Sequence, residues 1–331
     1  MEVVEESKLR PRPSLTAVPI IEETDSKYKE LILTLPKEEK AKPFALLKYQ
    51  GFWYSEPHFP GVLAMHEVFK TRSDDVIVAS SLKSGTTWLK ALTFTIMHRD
   101  KYTFSSHPLL KLNPHDCVPI LEHHYGTRDE KYLEMLPSPR VLGTHLPYSM
   151  LPDSIQTSNC PIVYICREPK DVFVSFFHMV TKFEWMDKPS SFTESFELFC
   201  KGQVPYGPVW EHVLEFYTKS LCSSEKVLLL RYEEMLKDPM NSVLRIANFI
   251  GCPFTEEEMK NGLVETIVEF CSFNKLKNLD VNEKRVGDVL NNSALFRKAA
   301  VGDWQNYMTT EMANKLDEIT KKKLCDSSFS Y

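Results

Sequence analysis

Val76-Ile77-Val78-Ala79, followed after Ser80-Ser81 by Leu82-Lys83-Ser84-Gly85-Thr86-Thr87-Trp88, decides how the rest of the chain is read. Three β-branched residues and an alanine in a row predict a short strand buried on both faces. From Thr86 to His98 the apolar residues Trp88, Leu89, Leu92 and Ile96 recur at helical spacing. Residues 76–98 therefore predict a strand, a tight loop and a helix. The loop has the chemistry of a phosphate cradle. Gly85 lets backbone approach an anion closely. The helix opening at Thr86 turns unpaired N–H groups and the positive end of its dipole toward that anion. Thr86 and Thr87 add hydroxyl donors, and Lys83 adds a point charge. A capped helix start that happens to contain a lysine is the alternative; the full run after a buried strand favours the cradle. This is not the nucleotide-triphosphatase loop, GxxxxGK[ST], because Lys83 precedes the only glycine instead of following it. The Ser or Thr that would hold Mg²⁺ is displaced with it, so a phosphate donor handled without a metal is the inference.

The same pattern spreads outward. Arg140-Val141-Leu142 predicts a short strand ending at Gly143, Pro161 to Cys166 a stronger one, and Val227 to Leu230 a fourth. Arg167-Glu168-Pro169 leads into a helix from about Lys170, with proline where a missing donor costs nothing. Further helices are expected near 192–201, with Phe192, Phe196 and Phe199 on one face, and at 209–221, 240–250 and 310–324. Lys321-Lys322-Lys323 reads as a solvated end matched to the helix dipole. Another helical pattern runs from Ser26 through Leu31, Ile32 and Leu35 to Pro36. Strands alternating with helices predict an α/β fold with a central parallel sheet flanked by helices and a P-loop-like phosphate-binding strand-loop-helix. A single domain is expected over 26–331, preceded by a mobile, Glu-rich arm (1–25) broken by Pro11, Pro13 and Pro19.

Composition sets the outer limits. The 331 residues are 43% hydrophobic and 11% aromatic, enough to bury a sizeable core and too much for a disordered chain. Forty Lys+Arg against forty-five Asp+Glu give a formal charge of −5, which argues against a general nucleic-acid binder. Any anion must be held by a local cluster of cations. No apolar run approaches the ~18 residues of a membrane span, and the acidic start suits neither a secretory signal nor a transit peptide. The eight cysteines form no CxxC pair and sit mostly among apolar neighbours, so reduced thiols in the cytosol are expected.

At Lys83 to Trp88 the sequence resembles the cytosolic sulfotransferases, the plant branch most closely. Matching blocks follow in family order: Thr144-His145; Arg167-Glu168-Pro169-Lys170-Asp171 with Ser175; Arg231-Tyr232-Glu233; Cys271-Ser272-Phe273; and Phe296-Arg297-Lys298 with Gly302-Asp303-Trp304. The resemblance covers about residues 45–320. It implies a single α/β domain that moves a sulfonate group from 3′-phosphoadenosine-5′-phosphosulfate (PAPS) to a hydroxyl or amine.

By that resemblance Lys83, Ser84, Gly85, Thr86 and Thr87 hold the 5′ end of the donor. Lys83 also follows the bridging oxygen as it gains charge, an interaction stronger in the transition state than in the ground state. The 3′-phosphate falls to Arg167, Ser175, Arg297 and Lys298, with Ala299 beside them; charge-assisted bonds of this kind are worth roughly 1.5–3 kcal/mol each. For Arg167 the competing reading is an ordinary ion pair with Glu168 or Asp171. Trp88 and Phe273 are implied as adenine stackers, with Tyr232 at the edge of the base; Trp88 also fits plain core with Leu89 and Leu92. The acceptor must lose a proton, work that suits an imidazole near neutral pH. Of the ten histidines, His123-His124 reads as a polar loop, and His58 and His107 lie beside or near prolines. His145 follows a strand end, in the motif where the family keeps its base, so catalysis is assigned to His145 and Lys83. The aromatics Phe52, Trp53, Tyr54, Phe177 and Tyr206 fit either an apolar acceptor cavity or core.

Some positions depart from the family pattern. Leu82 replaces a common proline, Gly143 stands where the animal branch has a lysine, and Ala299 replaces a glycine, where a positive φ would be strained. The animal dimer motif is unmet, with Gln305, Thr310 and Asn314 at its Lys, Val and Glu positions, so a monomer is expected. The expectation is a cytoplasmic, metal-independent, PAPS-dependent sulfotransferase acting on a small hydroxylated acceptor, without nucleic acid or membrane as partner. A flavonoid or brassinosteroid-type steroid is favoured as acceptor over a hydroxyjasmonate or desulfoglucosinolate. The alternatives are a PAPS- or PAP-binding protein with impaired catalysis and, further off, a nucleotide kinase.

Overall fold

The computed structural model describes residues 22–42, 44–127, 129–182, 191–283 and 292–331. Residues 1–21 of the expected arm lie outside the described residues, and the first helix, Glu22–Thr34, opens ahead of Ser26. Among the described residues two sheets form. The smaller is antiparallel, in the order β1 (Lys37–Glu38), β2 (Leu46–Tyr49), β3 (Phe52–Ser55). The larger is built from β4 (Val76–Ser80), β5 (Val141–Thr144), β6 (Ile162–Cys166) and β7 (Val227–Arg231), all parallel, in the order β5-β4-β6-β7. The four predicted strands are these four, each within a residue or so of its expected limits.

The pleat explains why apolar runs were needed. Ile77 and Ala79 of β4 face one core with Leu142, Ile162 and Tyr164, while Val76 and Val78 face a second core with Val141, Val163 and Leu230. Successive side chains point to opposite faces, and helices cover both. Each fully buried Val or Ile contributes roughly 1.5–3 kcal/mol by leaving water, so the sheet is anchored from both sides. The register pairs Val78 with Gly143 and Ala79 with Tyr164. The chain leaves β4 for β5 on one side and returns to β6 on the other, so the order reverses around β4. Such a reversal opens a crevice at the carboxyl ends of the strands.

The helices flanking that crevice begin with local signals. Pro169–Val180 has proline in its first turn, and the Glu168 side chain accepts from Lys170 N–H. Phe192–Cys200 carries a capping box of Ser191 and Glu194. Val209–Cys222 and Thr310–Leu324 are joined by Trp210 Nε1 donating to Thr320 Oγ1 at 2.9 Å. Lys170 binds Asp317 and stands over the Trp304 ring at 4.8 Å, which docks the last helix.

The antiparallel sheet and the helix Phe59–Val68 were not anticipated. The hairpin between β2 and β3 turns on Gln50 (φ +46°) and Gly51 (φ +88°), the left-handed pair of a two-residue turn. Glutamine in the first position hid a signal that asparagine would have given. His123 and His124, expected in a polar loop, lie on the short helix Leu121–Gly126, with His124 buried and stacked on Tyr132. All eight cysteines are unpaired thiols.

Candidate active site

Each strand of the parallel sheet ends at a residue singled out in the sequence: β4 at the 82–85 loop, β5 at His145, β6 at Arg167 and β7 at Tyr232. These ends converge on a cavity of about 310 Å³. Lys83, Gly85, Thr86, Thr87 and Trp88 line it from one side, with His145, Arg167 and Ser175 beside them. Tyr232, Phe273, Arg297, Lys298 and Ala299 complete that set. Ser84 does not reach the wall: it is fully buried, and its hydroxyl shares a 2.7 Å hydrogen bond with Ser81.

Two left-handed residues shape the loop, Lys83 at φ +64° and Gly85 at φ +112°. A Cβ on Gly85 would stand 2.8 Å from Tyr232 Cδ2 and 2.9 Å from Ile165 Cδ1, so the position also lacks room for a side chain. Gly85 caps the helix Thr86–Met97 without any side-chain acceptor, leaving its first N–H groups to the cavity. Thr86 Oγ1 is tied to Ser80 Oγ at 2.6 Å. Burial pushes the Lys83 ammonium down to about 8, and the positive charges of Arg167, Lys182 and Arg297 add to the effect.

His145 is 5% exposed. Its Nδ1–H donates to the Ser80 carbonyl at 2.9 Å, which places the proton on Nδ1 and leaves Nε2 with a lone pair. Its backbone N–H donates to Glu122 Oε1 at 2.6 Å, and its carbonyl accepts from His212 Nε2 at 3.0 Å. Burial pushes the imidazole down to about 3, the bond to Ser80 opposing and the charge of Lys90 adding. Glu122, buried and also bonded to Thr144 Oγ1 at 3.0 Å, is pushed up to about 7 by burial against those hydrogen bonds. The Tyr206 ring lies 5.7 Å from His145, held there because Tyr206 N–H donates to Trp53 O at 2.6 Å and Trp53 N–H to Gly207 O at 2.8 Å. Of the other aromatics considered for an acceptor, Tyr54 packs on Tyr206, Phe52 on His212, Trp53 on a separate small cluster with Ala41 and Leu46, and Phe177 on Phe192.

The cations on the opposite wall have internal partners. Arg167 donates to Ala300 O at 2.7 Å, pairs with Asp171 at 3.4 Å and stacks on Tyr232 at 4.4 Å, while its Nε is buried with no hydrogen-bond partner. The ion pair weighed as an alternative for Arg167 therefore exists, and Arg167 lines the cavity all the same. Asp171 accepts from Gly302 N–H at 2.8 Å and Trp304 N–H at 3.1 Å, tying the 296–304 loop to the helix beneath Ser175. Arg297 and Lys298 both bind Asp303, the latter at 2.8 Å. Although burial opposes it, bonds from Lys298, Arg297 and Asn306 hold the Asp303 carboxyl well below the usual range. Ala299 takes a left-handed conformation, φ +51°, that a glycine would occupy without strain. On the base-sized side of the cavity Trp88 meets Tyr232 edge-on at 5.9 Å and Phe273 lies 6.3 Å from Phe296.

An orphaned guanidinium N–H, an uncapped helix end and converging cations beside apolar rings fit a molecule with separate anionic groups and a flat base. Sequence reasoning missed His115, which also lines the cavity, and the buried Lys90 and Glu122 behind the wall. His115 sits on the short helix Pro114–Cys117 capped by Asn113, and no spacing connects it to Thr87; Lys90 reads as the polar side of an amphipathic helix. Among the described residues no cluster of ligating side chains suits a metal, and no helix is long and apolar enough to cross a membrane.

Comparison with known proteins gives this geometry its family. Residues 73–328 match the family described as "Sulfotransferase domain". Cytosolic sulfotransferase 5 of Arabidopsis thaliana is 41% identical over 317 residues, 94% of this chain and 98% of its own length. Flavonol 3-sulfotransferase of Flaveria bidentis is 41% identical over 304 residues, 89% of this chain and 97% of its own. Among solved structures, a putative steroid sulphotransferase of Arabidopsis thaliana superposes with a TM-score of 0.76 at 34% identity, covering 94% of this chain and 97% of that one. A mouse sulfotransferase in complex with PAP gives 0.67 at 30% identity, covering 85% and 95%. Sheet order, loop, cavity and kinship agree: the chain belongs to the sulfotransferase family and is a sulfotransferase.

Proposed function

We propose that the protein binds PAPS in the cavity at the carboxyl edge of the parallel sheet and passes its sulfonate to the hydroxyl of a small apolar acceptor in the cytosol. The observation that carries this reading is the tautomer of His145. With Nδ1–H given to Ser80, the Nε2 lone pair is the basic site, on the same cavity as Lys83 and the open helix end. The acceptor O–H gives its proton to Nε2 as its oxygen bonds to sulfur. The bond from sulfur to the bridging phosphate oxygen breaks, and the Lys83 ammonium meets the charge that develops there. Burial holds His145 neutral before the reaction; the anionic donor acts in the opposite direction and favours the imidazolium that forms. Thr86, Thr87 and the backbone of the 83–87 loop hold the 5′ end, and Arg167, Ser175, Arg297 and Lys298 the 3′-phosphate. Trp88, Phe273 and Tyr232 enclose the adenine. The similarity to a flavonol sulfotransferase and to a putative steroid sulphotransferase supports a flavonoid or a brassinosteroid-type steroid as acceptor. A monomer is the proposed working unit.

Labelled PAPS with a panel of phenols, flavonoids and steroids, read by mass spectrometry, tests the reaction. His145→Ala is expected to abolish sulfated product while calorimetric binding of adenosine 3′,5′-bisphosphate persists; unchanged turnover would remove His145 as base. Bisphosphate binding without product from any acceptor would replace this reading by a donor-binding protein that has lost catalysis.

A further inference from the structure

Behind the cavity wall, on the helix Thr86–Met97, lies Lys90, 0% exposed. An ammonium is costly to bury unless hydrogen bonds receive it, and here they do. Lys90 Nζ donates to Val118 O at 2.9 Å and to His115 Nδ1 at 3.2 Å. Across the ring, His115 Nε2 stands 2.9 Å from Thr87 Oγ1. An ammonium has hydrogens and no lone pair, so Nδ1 must accept. The neutral ring then carries its proton on Nε2 and donates it to Thr87. The hydroxyl hydrogen of Thr87 is not drawn to the histidine and is available to the cavity that Thr87 lines.

We propose that Lys90 and His115 are positioning residues that fix the Thr87 hydroxyl as a donor to the anionic 5′ end of the donor nucleotide. This rests on the donor-binding reading of the cavity given above. The strand leading to His145 is shaped around the same ammonium: a Cβ at Gly143 would lie 2.6 Å from Lys90 Cε and 2.7 Å from its Nζ. Glycine at 143 is thus the counterpart of lysine at 90. Among the described residues, the titratable groups on the elements around His115 include Lys83 and Lys90 on the loop and helix of 83–97, Asp116 and Cys117 on its own short helix, and His107 at the head of Pro108–Leu110. Glu122 and His145 both feel the Lys90 charge.

Calorimetric titration of the full chain with adenosine 3′,5′-bisphosphate at pH 8 tests the relay. The unaltered protein comes first: no binding removes the donor-site reading itself. Given binding, Lys90→Met is expected to weaken it about tenfold, because a His115 ring that no longer faces an ammonium at Nδ1 can carry its proton there and draw the Thr87 hydrogen onto Nε2. His115→Gln and His115→Leu separate the relay from packing. The amide can accept from Lys90 and donate to Thr87, keeping affinity within about threefold, while leucine loses about tenfold. Unchanged affinity in Lys90→Met, or equal affinities for the two His115 variants, overturns the proposal; should Lys90→Met not fold, the two His115 variants decide alone.

Discussion

Lys83 has a left-handed backbone, a half-buried side chain and two arginines near enough to depress its ionisation. An ammonium near 8 is mostly charged at neutral pH, and the charged form is the one that can meet an anion. Deprotonation follows as pH rises through about 8, so kcat/KM for the donor is expected to be level near neutrality. Above that point it should fall about tenfold per pH unit, since kcat/KM reports the free enzyme. Lys83→Arg, whose guanidinium does not titrate there, should lower the rate and flatten the fall. An alkaline limb that persists unchanged in Lys83→Arg would assign it to another group. At this scale the sequence was most informative where chemistry and motif coincide, at Lys83, Gly85 and His145. It was silent on Lys90, His115 and Glu122, whose meaning lies in contacts between segments: Lys90 is legible as a buried cation only once Val118 and Gly143 are folded against it.

Elements behaved differently. Buried parallel strands announce themselves because both faces must be apolar, and β4, β5, β6 and β7 fell close to their expected limits. The hairpin of β2 and β3 escaped because its strands are four residues each and its turn lacks Asn or Asp. The 296–304 loop shows what a sequence cannot display: two cations in a loop acquire direction through Asp303, which binds both, and through Asp171, which anchors the loop by accepting from Gly302 and Trp304. Asp171→Ala leaves two backbone donors without their acceptor and Arg167 without its carboxylate. A loss of about 2–4 kcal/mol in stability is expected, with faster hydrogen exchange centred on 296–304 and bisphosphate affinity reduced about tenfold or more. Unchanged exchange in that loop would show that other contacts hold it.

For the whole molecule, buried histidines govern the response to acid. Burial pushes His58, His98, His107 and His212 down to about 4 and His145 to about 3. The unfolded chain, with imidazoles near 6.5, takes up protons first. Stability is therefore full above about 6.5 and is lost as pH falls toward 4. Glu122 works the other way, since its folded carboxyl holds a proton up to about 7, and burial raises the Glu168 and Glu215 carboxyls too; the rings outnumber them, because burial also lowers His123 and His178. The urea midpoint is expected to drop between pH 7 and pH 5, with a slope of up to ~1.4 kcal/mol per pH unit for each net proton; a flat profile would contradict the burial of these rings.

The cavity wall draws on residues from Leu82 to Ala299, so no fragment of the chain carries the site alone. A nucleotide seated there acts as a clasp across distant loops. At a hundredfold excess over its Kd it would add about 2.7 kcal/mol to the folded state by mass action, a gain shared by every layer of the molecule.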